Sequence, residues 1–106
     1  YLRFDEPAER IALRCRAMWP WPGGRCRYVS AEGRGEEVTF VNVTPVPVAA
    51  EAPPGAITPV LTVATGQGCL EIHCLQPAGK RPMSWQDFVN GRHVKAGDRF
   101  ETLATR

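Results

Sequence analysis

In this chain of 106 residues, the side chains best placed to do chemistry are cations that stand clear of carboxylates. Lys80 and Arg81 lie side by side in Leu75-Gln-Pro-Ala-Gly-Lys-Arg-Pro-Met83, which reads as a strand end, a glycine turn and the approach to a helix, with no acid close in sequence. A phosphate contact needs only a reachable cation of this kind, so the pair is the first candidate for holding a nucleic-acid backbone, against the alternative of a solvated turn. Arg14, Arg25 and Arg27 follow as candidates. Arg16 comes last, because its neighbours are expected to be partly buried and it can brace a helix against the body of the fold. Trp19, Trp21 and Trp85 could stack on bases, but two sit at a proline corner and the third opens an amphipathic helix, settings that favour packing.

Thiol and imidazole chemistry has less support. Cys69 and Cys74 are five apart on a predicted strand and so face opposite sides, while Cys15 and Cys26 fall on a helix and a strand. Adding His73 and His93 gives no established zinc spacing, and a Cys74–His73 nucleophile pair lacks a third group to orient it. No catalytic residue, metal site or disulfide is expected, and the four cysteines read as free thiols of a cytoplasmic protein.

The net charge of +2 is small, but its distribution is uneven. Arg10, Arg14, Arg16, Arg25 and Arg27 occur with no acid between residues 10 and 31. From Lys80 to Arg106, six basic residues face Asp87, Asp98 and Glu101. Between them, residues 28–79 hold Arg34 alone against Glu32, Glu36, Glu37, Glu51 and Glu71. Two basic ends flank an acidic middle, and if the fold joined those ends on one face, that face would attract a polyanion such as RNA. No apolar run approaches the roughly 20 residues that cross a bilayer, so no membrane partner is expected. Tyr1-Leu-Arg-Phe4 has the character of mid-segment sequence, which predicts a piece of a longer protein.

The elements that must position these groups begin with a helix. Asp5 is the expected N-cap, Pro7 suits the first turn, and the helix should start near residue 6. Ala8, Ile11, Ala12, Cys15, Met18 and Trp19 recur at helical spacing and form its core stripe. Pro20 and Pro22 end it, fixing Trp19 and Trp21 at a corner. Short strands are then expected at 26–30, 37–43, 56–58 and 60–65, with Pro45 and Pro47 marking an edge or bulge. A turn at Gly66-Gln67-Gly68 leads to a returning strand over 69–75. Ser84 to Gly91 reads as a short helix capped by Ser84 and closed by Gly91, and a last strand lies around 98–102. Short strands punctuated by glycine and proline point to a single mainly β domain, a small barrel or sandwich flanked by a helix.

Several pieces occur in an order that is more specific than any one of them. They are Ile11-Ala-Leu-Arg-Cys-Arg-Ala17, Pro20-Trp-Pro-Gly23, Pro54-Gly55-Ala-Ile57, Val63-Ala-Thr-Gly-Gln-Gly68, Leu75-Gln-Pro-Ala-Gly-Lys80, Met83 and Asp87-Phe88. Nearly the whole chain thereby resembles the C-terminal domain of methionyl-tRNA formyltransferases, departing from it at Gly24, more often alanine, and Cys15, more often aliphatic. The resemblance implies a small Greek-key barrel akin to the oligonucleotide-binding fold, with an N-terminal helix and a short helix near the C-terminus. It also implies a separate N-terminal catalytic domain that uses 10-formyltetrahydrofolate and carries the catalytic residues, so that this chain has none. The expected partner is initiator methionyl-tRNA, held by a monomer through Lys80, Arg81, Arg14, Arg25 and Arg27. Sugar-nucleotide formyltransferases and formyltetrahydrofolate dehydrogenase carry the same kind of domain, which leaves a purely structural role as the alternative.

Overall fold

The computed structural model describes residues 2–18 and 24–103. Its elements are α1 (Ala8–Met18), β1 (Arg25–Val29), β2 (Gly35–Val46), β3 (Val63–Ala64), β4 (Cys69–Pro77), β5 (Met83–Ser84), α2 (Trp85–Arg92) and β6 (Arg99–Glu101). The strands run β3-β4-β2-β1-β6 in one sheet, with β5 paired to β4. Residues 55–57 link its two ends. Ala56 bridges Arg99 and Ile57 bridges Val63, both antiparallel. Phe100 N–H donates to the Gly55 carbonyl at 2.7 Å on one side, and Ala64 N–H donates to the Ala56 carbonyl at 2.9 Å on the other. The result is a small, nearly closed β-barrel of the expected oligonucleotide-binding type, in which few strand edges remain open.

Long β2 can belong to such a tightly curved sheet because its register against β4 shifts around Asn42, between Phe40 and Val43. Bulges of this kind bend a strand and increase its twist. β2 continues through Pro45, opposite Leu70, and stops before Pro47, so the strand extends beyond the predicted 37–43. Inside the barrel, Phe40 and Phe100 meet edge-on at 5.1 Å, and Tyr28 and Phe88 meet likewise at 5.3 Å. Buried Leu2, Ile11, Leu70 and Leu75 fill the remaining space.

Three further boundaries differ from the sequence expectation for identifiable reasons. Helix α1 starts at Ala8 because Ala8 N–H donates to the Gln67 carbonyl at 2.9 Å, while Asp5, the expected cap, pairs with Arg3 at 2.9 Å. Ala8, Ile11, Ala12 and Cys15 are buried as the stripe requires. The Met18 side chain and the Trp19–Gly23 corner lie outside the described residues. The strand expected at 60–65 shrinks to Val63–Ala64, because Pro59-Val60-Leu61 forms a tight loop with Leu61 at φ 62°. Thr58 holds that loop through Thr62, with N–H to carbonyl at 2.8 Å and hydroxyl to hydroxyl at 2.7 Å. Helix α2 is capped by Ser84 as predicted, its hydroxyl accepting from Asp87 N–H at 3.1 Å. It runs past Gly91 and ends at His93 in the left-handed conformation, φ 54° and ψ 47°. Val94 N–H then donates to the Val89 carbonyl at 3.1 Å, and Val94 is buried. This closing bond with its apolar anchor, not the glycine, decides where the helix stops.

Candidate nucleic-acid interface

Alternation along β1 places Cys26 and Tyr28 in the core and turns Arg25 and Arg27 outward. Glu37 of β2 stands opposite Arg27, yet it bonds the neighbouring Arg25, with Nη2 to Oε1 at 2.7 Å. Arg27 makes no ion pair among the described residues. Its guanidinium lies against Gly35, where a Cβ would fall 2.6–2.9 Å from guanidinium atoms. A side chain at 35 would displace it.

A shallow groove of about 360 Å³ runs from Arg25 and Glu37 past Thr39 and Gln76 to Gly79. The turn that follows is fixed from both sides. Lys80 N–H donates to the Pro77 carbonyl at 3.0 Å, and the Lys80 carbonyl accepts from Gln76 Nε2 at 2.8 Å. Gly79 has φ 74°, a conformation that glycine adopts freely. Lys80 and Arg81 are exposed and make no ion pair among the described residues. The geometry therefore sets Arg25 and Arg27 on one strand face and Lys80 with Arg81 on the turn at the end of the adjoining groove. Arg14 is on α1, 3.6 Å from Glu6, and does not line that groove. Thr39 and Gln76, a cross-strand pair between the cations, add polar groups that no short motif marks in the sequence. Arg16 is exposed, where a bracing position had been expected, and lines a second groove beside α1.

The charge segregation seen along the sequence does not survive folding. Glu36 takes Arg92 at 2.7 Å, Glu32 takes Lys95 at 3.1 Å and Glu37 takes Arg25, so the acidic middle folds onto the basic ends. Among the described residues, Arg27, Lys80 and Arg81 remain without an ion pair on this side.

The other chemical candidates are occupied by structure. Cys15, Cys26 and Cys69 are buried and Cys74 is half-buried, all as free thiols. Burial pushes the Cys15 thiol up to about 12 against the opposing pull of Arg14, and pushes Cys26 and Cys74 upward as well. Cys69 Sγ donates to the Val48 carbonyl at 3.1 Å. The His73 ring meets Thr44 Oγ1 at 2.9 Å and Glu71 at 3.3 Å on the outer face. Among the described residues no three His, Cys, Asp or Glu groups are placed to share a metal ion. Trp85 packs: its Nε1 donates to the Leu61 carbonyl at 3.2 Å and its ring stacks on Phe88 at 5.7 Å. Trp19 and Trp21 lie outside the described residues.

The family model for the formyl transferase C-terminal domain matches residues 1–93. The chain belongs to the formyl transferase C-terminal domain family. Similar proteins include the methionyl-tRNA formyltransferase of Methylococcus capsulatus, 39% identical over 105 residues that cover 95% of this chain and 32% of the relative. That of Symbiobacterium thermophilum is 36% identical over 99 residues, covering 89% of this chain and 29% of the relative. That of a Roseiflexus species is 32% identical over 107 residues, covering 97% and 31%. This formyl transferase C-terminal domain thus spans about a third or less of the length of the curated relatives it matches. The match includes the strand face and the Lys80–Arg81 turn.

Proposed function

We propose that this domain holds initiator methionyl-tRNA for a methionyl-tRNA formyltransferase of the cytoplasm, acting as a monomer. The observation that carries the proposal is the pair Lys80 and Arg81, exposed and unpaired on a backbone turn that is bonded on both sides. A rigid turn with free cations meets phosphate without first losing internal ion pairs, and Arg27 extends that capacity along β1. Recognition of this kind reads phosphate position and RNA shape and leaves base identity unread. The names of the relatives supply the substrate class, and their greater length leaves room for the catalytic part. In that part, outside this chain, a formyl group would pass from 10-formyltetrahydrofolate to the methionyl amine. This chain contributes affinity and orientation and no reacting group.

Amide chemical-shift mapping of the labelled domain with tRNA tests the reading. Shifts should concentrate at residues 25–27, 37–39 and 76–82. Absence of shifts at low salt, or shifts confined to other faces, would overturn it and favour a purely structural domain of a formyltransferase with a smaller substrate.

A further inference from the structure

A larger concavity of the described residues lies away from the proposed RNA face. A groove of about 1040 Å³ runs between α1 and the chain that leaves β2. Arg10, Leu13 and Arg16 border it on the helix side, with Pro45, Val46 and Pro47 opposite, and Glu9 is its one acid. Leu13 is 62% exposed, and Val48, beside the opposite wall, is 60% exposed. Of the three large exposed hydrophobic residues among the described ones, two therefore flank this one groove. The third, Val60, tips the loop at 59–61. Arg10 and Arg16 make no ion pair among the described residues.

We propose that this groove seats a polypeptide segment bearing apolar side chains and carboxylates, supplied by the larger part of the formyltransferase outside the matched region. The inference rests on the reading above that the domain serves such an enzyme. Aliphatic walls with arginine at the rim have the composition of a protein interface, in which arginine is enriched and lysine and most other charges are depleted. Carboxylates on the incoming segment complement Arg10 and Arg16, which exceed Glu9 in charge. RNA fits the groove less well, because none of the described residues that line it offers an aromatic ring for bases to stack on. A second copy fits less well too, since a twofold contact would bring the same arginines together. The occupant has an evident source, because the relatives carry more than twice this chain's length outside the match.

The test is the solvent access of one introduced thiol. Leu13→Cys is made in the isolated domain and in a full-length chimera in which the domain replaces the matched third of the Methylococcus capsulatus relative. Val60→Cys serves as the comparison site in both. Maleimide labelling of the thiol at position 13 should slow by roughly tenfold or more in the chimera, while labelling at position 60 stays fast. Native Cys15, Cys26 and Cys69 must stay unlabelled, which certifies the fold in each protein. Equal rates at position 13 in the two proteins, or protection at position 60 instead, would overturn the proposal. So would protection that appears in the isolated domain on adding tRNA, or on raising its own concentration. Binding of tRNA by the isolated domain is a separate readout, so failure of the docking proposal and failure of the tRNA proposal remain distinguishable.

Discussion

Asp98 gives the sharpest quantitative consequence of the fold. Its carboxylate is 1% exposed and accepts three bonds: from the Tyr28 hydroxyl at 2.6 Å, Ala31 N–H at 2.8 Å and Lys95 N–H at 3.1 Å. One side chain therefore ties β1, the β1–β2 loop and the turn before β6. Burial acts to raise its pKa, but the Tyr28 and backbone bonds together outweigh burial and hold it below the usual value. Asp98→Asn keeps the shape but replaces one acceptor oxygen with an NH₂ group, which must face at least one of the three donors. Leaving one buried donor unpaired costs about 1–3 kcal/mol, and loss of charge weakens the remaining bonds by about 1 kcal/mol more. The variant should therefore lose about 3 kcal/mol at neutral pH, which for a domain this size lowers Tm by roughly 12–24 °C. Tyr28→Phe, which keeps the ring against Phe88 and Phe100, should lose about 1.5–2 kcal/mol. The pH dependence has a definite sign. A carboxyl held low in the folded state stabilises above the unfolded value of about 3.9, and that contribution is lost as pH falls from there through the folded pKa. Urea unfolding at pH 7 and in steps below pH 4 should show the gap between wild type and Asp98→Asn narrowing in acid. A gap under about 0.5 kcal/mol at pH 7, within the range of ordinary surface substitutions, would refute the reasoning, as would a gap that widens in acid.

Other substitutions separate backbone from side-chain effects. Gly66→Ala drives a Cβ onto the Asp5 carbonyl oxygen and should cost more than about 3 kcal/mol, whereas Gly79→Ala meets open space and should cost only the left-handed backbone penalty of about 1–2 kcal/mol. Equal effects in thermal unfolding would contradict the packing at the α1 start. Arg92 bonds Glu36 at 2.7 and 3.1 Å and lies 4.5 Å over the Phe88 ring. Arg92→Ala should lose about 1–2 kcal/mol, with Arg92→Lys recovering less than half because an ammonium lacks the fork. An aromatic disulfide reagent at pH 8 should modify Cys74 first, and Cys15 and Cys26 only on unfolding, since burial raises both of their thiols. Rapid native-state reaction of either would show that the α1–β1 core is open.

Local structure was legible where burial and periodicity coincide. The α1 stripe of Ala8, Ile11, Ala12 and Cys15 could be read from spacing alone, as could the Ser84 cap. The end of α2 was not, because a buried Val94 outweighed the glycine signal at Gly91. Barrel closure was legible in part: a short strand is expected at 56–58, but nothing local marks Arg99 and Val63 as the partners that Ala56 and Ile57 bridge. At the site, the Lys80–Arg81 turn was visible because glycine and adjacent cations are local signals. The fate of Arg25 and Arg14 was not, because it depends on Glu37 and Glu6 reaching them after folding. Counting charges by blocks of sequence suggested two basic ends that could share one face. The pairs Arg92–Glu36 and Lys95–Glu32 join those blocks and cancel much of that field.

The salt dependence of tRNA binding tests the central claim most directly. If Arg27, Lys80 and Arg81 each neutralise one phosphate, affinity should fall roughly fortyfold between 50 and 200 mM salt, measured by fluorescence anisotropy. In the Lys80→Ala, Arg81→Ala double variant one contact remains, and the same change in salt should weaken binding only roughly three- to fourfold, from a lower starting affinity. Binding that is insensitive to salt, or a slope unchanged in the double variant, would contradict the assignment of this face to RNA.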